Sequence, residues 1–87
     1  MEQRLPEADV QMKNFSFQPS EIRVSPGREV TWINNDPTTH TVTAEDGSFD
    51  SGNLEQGEGF SFIFKEKGTF KYYCAIHPGM RGQVVVA

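Results

Sequence analysis

One cysteine, two histidines and no long hydrophobic run set the first limits on this chain of 87 residues. A lone cysteine excludes an internal disulfide and leaves Cys74 free for other chemistry. No stretch approaches the roughly 18 apolar residues that a membrane span requires. The opening MEQRLPEADVQ has no apolar core of a signal peptide, so the expectation is a cytoplasmic protein or one whose leader or anchor lies outside this sequence. Basic residues are scarce as well, eight Lys and Arg against twelve Asp and Glu for a net charge of -4. They form no stripe along the chain, which argues against a nucleic-acid partner and suits a positively charged protein better.

What the chain does have is regular punctuation. SPG at 25–27, NNDP at 34–37, EDGS at 45–48, EKG at 66–68 and HPG at 77–79 all carry turn residues. Between them lie runs rich in Val, Ile, Thr and aromatic residues at 10–17, 21–24, 29–34, 40–44, 59–65, 69–74 and 82–87. Each is too short for a helix. The length suits one domain, 1–87, with a modest core, and the spacing predicts an all-β fold, an antiparallel Greek-key sandwich of seven to eight strands.

Alternation assigns the faces. In GFSFIFK, Phe60, Phe62 and Phe64 share one side; in TFKYYC, Phe70, Tyr72 and Cys74 oppose Lys71, which marks the wet side. Cys74 therefore points inward at the end of a core strand, and His40, on the face of Val42, does the same. Residues 45–58 read as a polar, Gly-rich loop anchored by Phe49 and Leu54. The acids of that loop, Glu45, Asp46, Asp50, Glu55 and Glu58, read either as a solvated face or as a docking patch for a basic partner.

The segment CAIHPGM concentrates the chemistry, with Cys74, His77 and Met80 at three-residue intervals across a strand end and a turn. Sulfur ligands are soft and favour copper, and imidazole suits copper, zinc and iron. A fourth ligand must come from elsewhere in the chain, and His40 is the only other histidine. Two His and one Cys with a weak axial Met is the donor set of a blue-copper electron-transfer site. Other readings fit less well. A thiol nucleophile would need an orienting Asn or Asp beside its histidine and better exposure, structural zinc rarely recruits Met, and each of these residues alone is an ordinary core or turn residue.

CAIHPGM, with VTWINNDPTTHTV upstream and KGTFKYYC just before it, resembles the small cupredoxins, the type 1 blue copper proteins of the plastocyanin, pseudoazurin and amicyanin group. The likeness runs from NFSFQPSEIRVSPGREVTW to GQVVV, and the C-x-x-H-x-x-M spacing is the shorter one found in amicyanin and pseudoazurin. It implies one copper ion held by His40, Cys74, His77 and Met80, and a monomer that is not an enzyme. Such a protein carries single electrons between transient donor and acceptor proteins outside the cytoplasm, for example in a periplasm. Behind the ligands the expected residues are Thr41, Ala75 and Asn35. Family members often have Asn after the first His and Ser or Thr after the Cys, so Thr41 and Ala75 depart from the pattern, and Ala75 has no side-chain hydrogen bond to give. Electrons are expected to pass at a surface of His77, Pro78, Gly79 and Ile76, with Tyr73 either a surface aromatic or a second route. Alternatives are a protein that stores or delivers copper, and a domain of a larger oxidase or membrane-anchored electron acceptor.

Overall fold

The computed structural model describes residues 8–87, so residues 1–7, read above as a start without a leader and as part of a 1–87 unit, lie outside the described residues. Eight strands follow one another in the described chain: β1 (Val10–Lys13), β2 (Ser16–Gln18), β3 (Glu21–Val24), β4 (Arg28–Asn34), β5 (Thr43–Ala44), β6 (Gly59–Phe64), β7 (Gly68–Tyr73) and β8 (Arg81–Val86). They form two four-stranded sheets, in the orders β2-β1-β4-β6 and β3-β8-β7-β5. Alternating apolar residues from both sheets meet between them, among them Val10, Met12, Val30 and Trp32 from one and Tyr72, Val84 and Val86 from the other.

The sandwich is mixed rather than purely antiparallel. β1 runs parallel to β4 and β3 parallel to β8, while the other pairings are antiparallel. The reason is topological: the chain leaves the first sheet after β2, contributes β3 to the second, and returns as β4 beside β1. Such a crossing is what parallel neighbours require, and alternation in sequence reports which face a side chain takes but not which way its strand runs.

The run at 10–17 is also two strands rather than one. A two-residue turn at Asn14 and Phe15, with φ of 55° and 57°, folds β2 back on β1 so that Lys13 pairs with Ser16. Left-handed φ at both central residues matches the twist of a hairpin. The parity of the sequence carries a trace of it, since Val10 and Met12 point inward and so does Phe17, which is out of phase with them.

The core is aromatic. Trp32 packs against Phe49, Phe60, Phe64 and Tyr72 at centroid distances of 5.4–6.3 Å. Phe49, from the polar loop, also meets Phe62 at 4.8 Å, and with Leu54 it is buried, as the anchoring role requires. Phe64 is buried, Phe60 and Phe62 are half-buried against the core, and Ile63 on the opposite face is exposed.

Tyr72 lies across Gly82 of β8, and a Cβ at that glycine would stand 2.6 Å from the Tyr72 hydroxyl oxygen and 2.7 Å from the ring carbon bearing it. Because Tyr72 is fully buried, the ring has no room to retreat. Gly82→Ala should therefore destabilise the fold by about 1–3 kcal/mol, measurable as a lowered urea midpoint with an unchanged slope.

The Tyr72 hydroxyl and the Trp32 indole nitrogen have no hydrogen-bond partner among the described residues. Burial pushes the phenol up from 10.0 to about 12, and the nearby Trp32 indole opposes the shift without forming a hydrogen bond. A folded-state value above the unfolded one means that the native protein holds its proton more tightly. Stability from this group should be complete below pH 10 and be lost as pH rises toward about 12. Replacing Tyr72 with Phe should flatten that alkaline limb in denaturation measured across the same range.

Candidate metal centre

Two loops at one end of the sandwich build the site. The first, residues 35–42, leaves β4 and leads to β5; the second, residues 74–80, joins β7 to β8.

The second loop is two tight turns in succession. The His77 N–H donates to the Cys74 carbonyl at 3.1 Å and the Met80 N–H to the His77 carbonyl at 2.9 Å. The Cys74 N–H then closes the mouth onto the Met80 carbonyl at 3.0 Å. The three-residue intervals in the sequence are thus the spacing of the turns themselves, which bring residues 74, 77 and 80 to one side. Cys74 and Met80 are buried, His77 is half-buried, and Ala75, Ile76, Pro78 and Gly79 are exposed.

The first loop is fixed by polar groups. Asn34, fully buried, donates from its amide to the Thr38 and Leu54 carbonyls at 2.9 and 2.8 Å, and its side-chain oxygen accepts the Asp36 N–H at 2.9 Å. His40 exchanges both backbone hydrogen bonds with Leu54, at 3.1 and 2.7 Å, which pins it to the anchored loop. Its imidazole is fully buried.

Three donor atoms converge. The Cys74 Sγ lies 3.6 Å from Nδ1 of His40 and 3.9 Å from Nδ1 of His77, and the three atoms lie within 4.8 Å of one another. Nitrogen and sulfur donors bind a first-row metal at about 2.0–2.3 Å, so three donors around one ion should stand roughly 3.5–3.8 Å apart. The two sulfur–nitrogen separations, 3.6 and 3.9 Å, are close to that spacing. Met80, buried beside them, adds a thioether, and a set of two imidazoles, one thiol and one thioether fits copper better than zinc or a hard cation.

The loops are tied behind the ligands. The Thr41 N–H donates to Sγ of Cys74 at 3.4 Å, and the Thr41 hydroxyl accepts the Ala75 N–H at 2.8 Å. Thr41 and Ala75 are thus linked beside Cys74, with the backbone N–H of Ala75 rather than its side chain making the bond. Asn35 does not join them: it is exposed, with its amide on the Gln11 side chain and its N–H on the Met12 carbonyl. The residues on either side of it, Asn34 and Asp36, have the inward positions, because the strand alternation continues through residue 36.

Asp36 and Phe15 are the two site residues that the sequence reading missed. The Asp36 carboxylate lies 2.8 Å from Nε2 of His40 and accepts the N–H groups of Asn14 and Phe15 at 2.8 and 3.0 Å. Burial pushes the Asp36 carboxyl up, but the Phe15 N–H, the His40 ring, the Asn14 N–H and the His40 charge together hold it below its ordinary value of 3.8. Phe15 stands edge-on to both histidine rings, at 5.5 Å from His40 and 5.0 Å from His77. A left-handed backbone at a bulky residue costs on the order of 1–3 kcal/mol, which the carboxylate helps to offset. Only the slipped parity of residues 12–17 hinted at the turn, and nothing in NNDPTTH singled out the acid.

Tyr73 is half-buried beneath the Arg81 guanidinium, 6.0 Å from its ring centre, and Arg81 is paired with Glu45 at 2.7 Å. The other loop acids bond locally. Asp46 accepts from Ser48, Asp50 from Thr43 and Gly52, Glu55 from Thr39, and Glu58 from the Glu55 N–H.

The sequence profile of the copper-binding proteins, plastocyanin/azurin family, matches residues 6–87. Amicyanin-alpha of Methylorubrum extorquens is 32% identical over 83 residues, covering 90% of this chain and 70% of the relative. Amicyanin of Paracoccus denitrificans is 34% identical, covering 88% of this chain, which spans 63% of that relative's length. Plastocyanin of Scenedesmus fuscus is 32% identical and covers 80% of this chain and 85% of its own. Among solved structures, a purple cupredoxin from Nitrosopumilus maritimus superposes with a TM-score of 0.85 at 29% identity, over 93% of this chain and all of that one.

Thr41→Val keeps the shape of the side chain and removes the acceptor for the Ala75 N–H. It should destabilise the protein by about 1–2 kcal/mol, whereas Thr41→Ser should retain most of the stability; chemical denaturation of the two variants side by side checks this.

Proposed function

This chain belongs to the copper-binding plastocyanin/azurin family, and from that premise we propose that it is a one-electron carrier with a single type 1 copper ion held by His40, Cys74, His77 and Met80. The observation that carries the proposal is the convergence of Sγ of Cys74 with Nδ1 of both histidines, 3.6 and 3.9 Å away. When bound, the ion supplies the exchange between Cu(I) and Cu(II). The protein's part is to hold the donors still. Cys74 and His40 are fully buried and Met80 nearly so, and two hydrogen-bonded turns and the Thr41 link keep the loops from moving apart. A donor set that moves little on a change of charge presents a small barrier to electron transfer.

Four protein donors leave no position for a substrate, which favours transfer over catalysis at the metal. His77 is the one imidazole of the two that reaches the surface, and exposed Ile76, Pro78 and Gly79 surround it. That rim supports a small, transient interface with redox partners, under about 1,200 Å², and a monomeric carrier. Tyr73, bonded through the chain to Cys74 but covered by the Arg81–Glu45 pair, is the less open exit. The likeness to amicyanin and plastocyanin supports a single cupredoxin domain over 1–87 and an extracytoplasmic location.

The carrier reading is tested by cycling the copper-loaded protein between oxidised and reduced forms beside a competing Cu(I) chelator. A carrier should cycle with its copper content unchanged; rapid surrender of Cu(I) to the chelator would instead identify a delivery or storage protein. Met80→Leu should keep the metal and raise the reduction potential, since a thioether donor is withdrawn from the oxidised ion.

A further inference from the structure

Asp36 is a buried acid that the donor set itself does not require, and it touches both the buried histidine and the exposed Phe15 turn. We propose that Asp36 is a positioning residue, whose one carboxylate locks the His40 ring and the Phe15 turn into a single unit that lowers the reduction potential of the site and shields both histidine rings. The proposal rests on the copper reading above.

The carboxylate is fully engaged. Its Oδ1 accepts the Asn14 N–H at 2.8 Å, and its Oδ2 accepts the Phe15 N–H at 3.0 Å while facing Nε2 of His40 at 2.8 Å. An ionised carboxylate only accepts, so Nε2 of His40 is the donor to it, and Nδ1 is the ring nitrogen turned toward Sγ of Cys74. The orientation of Asp36 is itself imposed, because its N–H is held by the buried Asn34 that organises the whole loop. A fixed negative charge behind a ligand stabilises the more highly charged Cu(II) over Cu(I), and it makes the imidazole a better donor.

The same carboxylate sets where Phe15 stands. Its two backbone contacts hold Asn14 and Phe15 in their left-handed turn, and that turn delivers the ring edge-on to His40 and His77. Phe15 is 52% exposed, which no core-packing role explains; it roofs the two rings at the face where His77 emerges. Loss of Asp36 should release the metal-side and the surface-side contact together.

Three variants separate these effects. Asp36→Asn, which keeps the size and removes the charge, should lower Cu(II) affinity by about 10–100-fold and Cu(I) affinity by less, and each tenfold difference between the two raises the potential by about 59 mV. Asp36→Glu should bring the potential back toward that of the parent protein. Phe15→Leu leaves the carboxylate in place, so it should move the potential less than Asp36→Asn does. A potential unchanged in Asp36→Asn would overturn the proposal. Should that variant fail to fold, nuclear magnetic resonance of the unmodified protein decides: the His40 Nε2–H should be present and exchange slowly, whereas an unprotonated or rapidly exchanging Nε2 would refute the link. Because that resonance is also observable without metal, its failure is distinct from a failure to bind copper.

Discussion

Everything at the functional end of this protein depends on keeping a thiol and two imidazoles within 4.8 Å of one another, two of them fully buried, on loops that come from different parts of the chain. Left to themselves, buried polar side chains turn toward whatever hydrogen bonds they can find. Here the backbone removes that freedom. The 74–80 loop closes on itself through three N–H donors, the 35–42 loop hangs from the buried Asn34, and Thr41 joins the two through its N–H on the Cys74 sulfur and its hydroxyl on the Ala75 N–H. Only a rigid frame behind the loops makes such links effective, and the aromatic packing of Trp32, Phe49, Phe64 and Tyr72 between the sheets supplies it.

Much of this was legible in the residues, for physical reasons that also mark where legibility ended. Period-two alternation placed Cys74 and His40 inward because both sit on or beside strands with one wet face, and HPG announced a turn between the candidate donors, although the structure has two turns there. Alternation is silent on strand direction, so the parallel pairs β1–β4 and β3–β8 were not visible. The Asn14–Phe15 turn lacks the glycine that usually announces such a hairpin, since the carboxylate of Asp36, distant in sequence, stabilises it instead. Asn35 looked like a supporting residue and its neighbour Asp36 did not. The outcome was reversed by a one-residue difference in phase, which decides whether a side chain faces the ligands or the solvent.

The acids of the 45–58 loop have local hydrogen bonds of their own. Glu45, Asp46, Asp50, Glu55 and Glu58 are all exposed, yet each accepts a hydrogen bond, Asp46 and Glu58 from within the loop itself and Glu45, Asp50 and Glu55 from Arg81, Thr43 and Thr39 outside it. Their arrangement is explained by folding a glycine-rich segment around Phe49 and Leu54, which in turn fix His40 through Leu54. The surface where His77 emerges is by contrast apolar and small. A protein docked there would be held by shape and modest burial rather than by charge.

The proposed role stands on one copper ion held by these donors, with the Cys74 thiolate as a direct ligand. The visible absorption spectrum of the protein during titration with copper(II) tests this most directly, since it reports ligand identity and geometry together. An intense band in the red part of the spectrum should grow in, saturate at one equivalent and be absent in Cys74→Ala. A colourless product, or a Cys74→Ala variant with the same spectrum, would contradict it.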